Sequence, residues 1–68
     1  MREILKQALR EFERIDDPDL IPVEREIRRA LAGKADTRLA LRLGLRAASW
    51  IDDPDVIPVE AAIRRALR

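Results

Sequence analysis

The 68-residue sequence predicts an all-α fold of four helices in two tandem helix–turn–helix repeats, either a short α-solenoid or a four-helix bundle. Three observations predict it. The composition is rich in Ala, Leu, Arg and Glu, all strong helix formers. Apolar residues recur at spacings of three and four. A ten-residue segment with two prolines, "IDDPDLIPVE" at 15–24, returns 36 residues later as "IDDPDVIPVE" at 51–60.

The repeat is wider than that segment. Residues 15–31 and 51–67 agree at 14 of 17 positions, and Arg2, Leu5, Leu9 and Arg10 match Arg38, Leu41, Leu45 and Arg46 at the same offset. One domain of two copies follows, residues 1–36 and 37–68. In the first helix Ile4, Leu5, Ala8, Leu9, Phe12 and Ile15 make one apolar stripe. Asp16-Asp17-Pro18 ends it, because Pro18 disfavours helical geometry at Asp17 and donates no hydrogen bond. Pro22 suits the first turn of the second helix, whose apolar face is Val23, Ile27, Ala30 and Leu31. Its acid, Glu24, lies near the positive end of the helix dipole, and Arg28 and Arg29 lie toward the negative end. Gly33 is the expected C′ residue and Asp36 the next N-cap. The third helix is expected from Thr37 to Trp50 and the fourth from Pro58 onward. The acids of the "DDPD" turns are expected to accept from free backbone N–H groups, while Ile15, Leu20, Ile21 and Val23 anchor the turn to the core.

The two copies differ in a pattern. Glu3, Gln7, Glu11 and Arg14 become Leu39, Leu43, Ala47 and Trp50, four positions on one helix face. Arg25 and Glu26 become Ala61 and Ala62. A terminal unit of a stacked array keeps a polar outer face, whereas an inner unit packs on its predecessor. Copy one is therefore expected to be a cap, and Leu39, Leu43, Ala47, Trp50, Ala61 and Ala62 are expected to pack between repeats or between subunits. The third helix keeps only Arg38, Arg42, Arg46 and Ser49 as a polar stripe. Leu43→Glu is then expected to loosen the chain. The downstream face of copy two has no cap, and covering it with a second chain predicts a homo-oligomer, in the first place a dimer.

Several function classes lose their chemistry. There is no Cys and no His, so disulfides, the usual zinc sites and imidazole bases are absent. Asp16, Asp17, Asp19 and Glu24 offer hard oxygen ligands, but the turn lacks the central Gly of a calcium loop and is interrupted by Pro18 and Pro22. Capping explains these acids, and no metal or other cofactor is expected. Arg38, Arg42 and Arg46 form a basic stripe, with Arg28-Arg29 and Arg64-Arg65 repeated. Yet residues 1–36 sum to −1 and 37–68 to +2, and two aromatics make no stacking platform, which argues against nucleic acid. Ser49 has no partner base, and exposed Asp52-Asp53 would keep ordinary acidity, so no enzyme is expected. No small-molecule ligand is expected either. No apolar run reaches membrane-spanning length and the N-terminus does not read as a signal peptide, which fits a soluble, cytoplasmic setting.

The turns carry a resemblance. Ile51, Asp53, Pro54, Ile57 and Pro58, like Ile15, Asp17, Pro18, Ile21 and Pro22, resemble the Ile-Gly-Asp-Pro turn of HEAT-like repeats related to phycobilisome lyases. Asp16 and Asp52 stand where that family has Gly, and the period here is longer, so the resemblance covers the turns. It implies a helical scaffold that binds a protein partner. The nearly identical block, the regular caps and the lack of Cys, His and Tyr also resemble de novo designed helical repeat proteins. That resemblance implies a structural role, self-assembly, as the leading expectation; the natural HEAT-like binding module is the alternative.

Overall fold

Four helices account for the order of the chain in the computed structural model, which describes residues 1–68. Helix α1 spans Arg2–Ile15, α2 Ile21–Leu31, α3 Thr37–Trp50 and α4 Ile57–Ala66. Single 3-10 turns, Pro18–Leu20 and Pro54–Val56, precede α2 and α4. These turns are additional to the sequence reading, and they move the start of α4 to Ile57. No strand is present.

The boundaries follow from local chemistry. Asp36 caps α3, its Oδ1 accepting from the N–H groups of Arg38 at 2.8 Å and Leu39 at 3.3 Å. Gly33, at φ 77°, closes α2: its N–H donates to the Ala30 carbonyl at 3.1 Å and Lys34 N–H to the Arg29 carbonyl at 2.8 Å. These are the two bonds of a Schellman motif, and the left-handed conformation of Gly33 is one that a Cβ would strain. Pro22 and Pro58 sit at the second residue of their helices, where a missing N–H leaves nothing unpaired. Asp17 Oδ1 accepts from Asp19 N–H at 2.8 Å and Asp53 Oδ1 from Asp55 N–H at 2.9 Å, so the acidic turns are self-capped as expected.

The core is repeat-symmetric. Leu5, Ala8 and Phe12 of α1 are buried, and so are Leu41, Gly44 and Ala48 at the equivalent positions of α3. Leu20 and Ile27 correspond to Val56 and Ile63, all fully enclosed. Phe12 fills the centre opposite small residues: a methyl on Gly44 would lie 3.5 Å from Ile63 Cδ1, 3.8 Å from Phe12 Cε2 and 4.0 Å from Ile27 Cδ1. Three helices therefore converge on Gly44. No polar side chain is buried. Of the residues expected to anchor the turn, Leu20 is enclosed and Ile15 and Val23 are half-buried, but Ile21 points outward and is 51% exposed. It begins a helix whose apolar side starts two residues later, about 200° around the axis.

The hairpins close on each other instead of stacking in sequence. Helix α2 packs along α3, and α4 meets α1, while α1 and α3 touch lightly. A shift of 36 residues exchanges these two seams, so the hairpins use the same faces twice. In a translational stack the first helix of one repeat would lie along the first helix of the next. Of the two architectures the sequence allowed, the chain takes the four-helix bundle, with extents of 29 × 26 × 16 Å. Its accessible surface of 4452 Å² compares with roughly 11,000 Å² for an unfolded chain of 7.8 kDa, so about 60% is buried and the core is thin.

Candidate self-association surface

Helix α3 carries two apolar faces, and only one of them serves the core. Its buried face is made of Ala40, Leu41, Gly44, Ala47 and Ala48. Roughly 120–140° away along the helix surface run Leu39, Leu43 and Trp50, within about 40° of one another. They are 52%, 37% and 49% exposed. The expected packing of these three side chains between repeats is therefore not what the single chain does. The physical reason is size: at Gly44 α3 leaves room for Phe12 and Ile27 of the other hairpin and for Ile63 of its own, and a helix that turns this face inward turns Leu39, Leu43 and Trp50 outward. Ala47 alone of the four is enclosed, at 2% exposed.

Ala61 and Ala62 do not join this strip. Both lie on α4, Ala61 exposed and Ala62 half-buried, which are the exposures of Arg25 and Glu26 at the matching positions of α2. The substitutions there change the polarity of the surface and not its burial.

Leu39 and Leu43 line a shallow groove of about 260 Å³ with Glu26, Arg42 and Arg46. Glu26 comes from α2, so the groove follows the α2–α3 seam. Its carboxylate pairs with Arg29 at 3.0 Å, while Arg42 and Arg46 have no acidic partner within 4 Å, so their guanidinium groups lean on solvent. The pseudo-equivalent seam between α1 and α4 holds a groove of about 310 Å³, lined by Gln7, Arg10, Glu11 and Asp55 with Val59 and the rings of Pro54 and Pro58.

That second seam is also tied by charge. Arg14 Nη2 donates to Asp53 Oδ2 at 3.0 Å and lies 3.7 Å from Asp55, while its Nε donates to Glu11 at 3.0 Å. The Asp55 backbone N–H and then the Arg14 guanidinium hold the Asp53 carboxyl below its ordinary value of 3.8. Bonding to Asp53, then to Glu11, raises Arg14. Position 50, which corresponds to Arg14, holds Trp50. The sequence reading missed this pair; its signal was Arg14 itself, the one basic residue on the face that copy two replaces. It also missed two matched caps. Arg2 Nη1 donates to the Leu31 carbonyl at 2.9 Å and Arg38 Nη2 to the Leu67 carbonyl at 3.1 Å, closing the C-terminal ends of α2 and α4. The match of Arg2 with Arg38 was visible, and only its bonding was not. No three acidic side chains gather as a cation cage would need, and no helix is long and apolar enough to cross a membrane.

No protein-family model matches the chain, and neither a curated protein nor a solved structure does.

Proposed function

We propose that the chain is a self-associating structural module, and that two copies join through the α3 strip of Leu39, Leu43 and Trp50 in a two-fold dimer. The single observation that carries this is an internal control. The same helix face occurs twice in one fold. In copy one it holds Glu3, Gln7 and Arg14; in copy two it holds Leu39, Leu43 and Trp50; and all six are exposed. The bundle therefore does not need large apolar side chains at these positions. Something outside the single chain accounts for them better.

Size and pattern support a second chain. Three half-exposed side chains of this kind offer on the order of 300 Å² of apolar surface, a patch of the size that is often a functional contact. With Glu26, Arg42 and Arg46 around them they have the apolar centre and charged rim of a protein interface. A thin core gains most from such burial. The role is architectural.

Sedimentation equilibrium from low to high micromolar concentration tests the proposal. The wild-type chain is expected to approach twice its 7.8 kDa mass. Leu43→Glu is expected to sediment as a single chain with unchanged helicity. Leu43 is 37% exposed and sits at the rim of the α2–α3 groove, so the charge can reach solvent and the cost to the single chain is expected to be small beside the loss of association. A single-chain mass for the wild type throughout rejects the proposal.

A further inference from the structure

The self-association face is itself divided into a projecting group and a recess. Trp50 stands at the C-terminal end of α3, 49% exposed. The groove floored by Leu39 and Leu43 and edged by Glu26 lies toward its N-terminal end. Eleven residues separate Leu39 from Trp50, three helical turns to within about 20°, so projection and recess lie on one line along the helix. A two-fold axis passing beside α3, perpendicular to it and level with the midpoint of residues 44 and 45, sets two such helices antiparallel. Residues whose numbers sum to 89 then face each other: Leu39 meets the partner's Trp50, and Leu43 meets the aliphatic stem of the partner's Arg46. The same contact forms twice, as an isologous interface requires.

We infer that, in the dimer proposed above, each Trp50 indole seats in the partner subunit's groove over Leu39 and Leu43. The inference rests on that self-association reading and adds its geometry. The occupant is a second copy of this chain for three reasons on the molecule. The recess is apolar on its floor and about 260 Å³ in volume, room for an aromatic ring. Its edge carries Glu26, whose carboxylate can accept from the one donor an indole has. The only tryptophan of the chain occurs at the position that pairs with the groove under antiparallel symmetry. The parallel arrangement would place Trp50 against Trp50 and leave both grooves open. An aromatic anchor in a recess at the centre of an interface is the usual seat of binding energy.

Because the chain has one tryptophan, its fluorescence reports this contact directly. Samples are diluted through the dimer–monomer transition fixed independently by sedimentation. The expected result is a red shift of emission and an increase in acrylamide quenching as the dimer dissociates. Trp50→Arg and Leu39→Glu restore the copy-one residues, which the fold already accepts at Arg14 and Glu3. Each is expected to weaken dimerisation by about 30-fold or more with unchanged circular dichroism, whereas Ile57→Lys, at an exposed apolar residue outside the strip, leaves the mass unchanged. A dimer by mass whose emission and quenching do not change on dissociation overturns the seating of Trp50 and leaves the self-association reading intact. A dimer abolished by Ile57→Lys and retained in Trp50→Arg overturns it as well. A chain that is monomeric at every concentration sinks both.

Discussion

Asp16 and Asp52 occupy matching places in nearly identical decapeptide surroundings, yet they end their helices differently. Asp16 is left-handed, at φ 57°, and its N–H donates to the Phe12 carbonyl at 3.3 Å. In copy two α3 stops at Trp50, Ile51 is extended, and Asp52 is not left-handed. Aspartate tolerates the left-handed region better than most residues, but at some cost that glycine does not carry. Glycine elsewhere loses backbone entropy worth about 0.5–1 kcal/mol. Asp16→Gly is therefore expected to raise the melting temperature and Asp52→Gly to lower it, by ~2–6 °C each for a domain of this size. Thermal denaturation of the two variants beside the wild type checks the signs. Gly44 makes a second residue-scale case. Its partner in copy one is Ala8, fully buried, and a Cβ at 44 would meet its neighbours at ordinary van der Waals distance. Gly44→Ala is expected to stabilise the fold by about 1 kcal/mol through helix propensity alone. A lower melting temperature for that variant would mean that α3 packs closer to Phe12 and Ile63 than described.

Between elements, the two seams are built from different chemistry on one plan. The α1–α4 seam is tied at its edge by Arg14 to Asp53 and Asp55, while across the α2–α3 seam Gly44 faces Ile27. Asp53 has a depressed pKa in the folded chain, so its contribution is present above the unfolded aspartate range. It is lost as pH falls from about 4 through that depressed value. Arg14 stays charged throughout and adds no slope of its own in that range. Asp53→Asn is expected to flatten the acid side of the stability profile relative to wild type, with Arg14→Gln doing so in part, because the Asp55 N–H still holds the carboxylate. Denaturant midpoints between pH 2 and 6 check this, and parallel profiles for wild type and Asp53→Asn would contradict it. Much at this scale was legible in the residues. Asp36, Gly33 and the prolines fixed the ends of α2 and α3, since each acts through its own backbone geometry. The 3-10 turns were not legible, because Pro-Asp-Leu and Pro-Asp-Val are as compatible with an irregular turn. Nor was the core face of α3. Its apolar arc covers more than half the helix, and periodicity does not say which part a neighbour will cover. The overlap of the two copies does: positions 5 and 41, 8 and 44, 9 and 45, 12 and 48 are apolar in both, and they are the side that packs inward.

For the whole molecule, the exchange of charged for apolar residues between copies reads as stacking order only if hairpins follow one another along a line. Here they close face to face, so copy one is no cap and copy two has no open end. The exchange falls instead on a surface that both copies leave to solvent. Only Ala47, replacing the half-buried Glu11, is enclosed. A chain that buries about 60% of its unfolded surface has little stability in reserve, and covering the Leu39–Leu43–Trp50 strip with a second chain adds apolar burial without enlarging the fold. In the proposed dimer folding and association are linked, and stability would depend on concentration as it does for any state that binds a partner only when folded.

That linkage gives the most direct test of the claim that the α3 strip belongs to a second copy: the thermal unfolding midpoint measured as a function of protein concentration. The account predicts that the midpoint of the wild-type chain rises by roughly 3–5 °C for each tenfold increase in concentration, while that of Leu43→Glu stays level at the wild type's dilute value. A wild-type midpoint that does not move with concentration would contradict it.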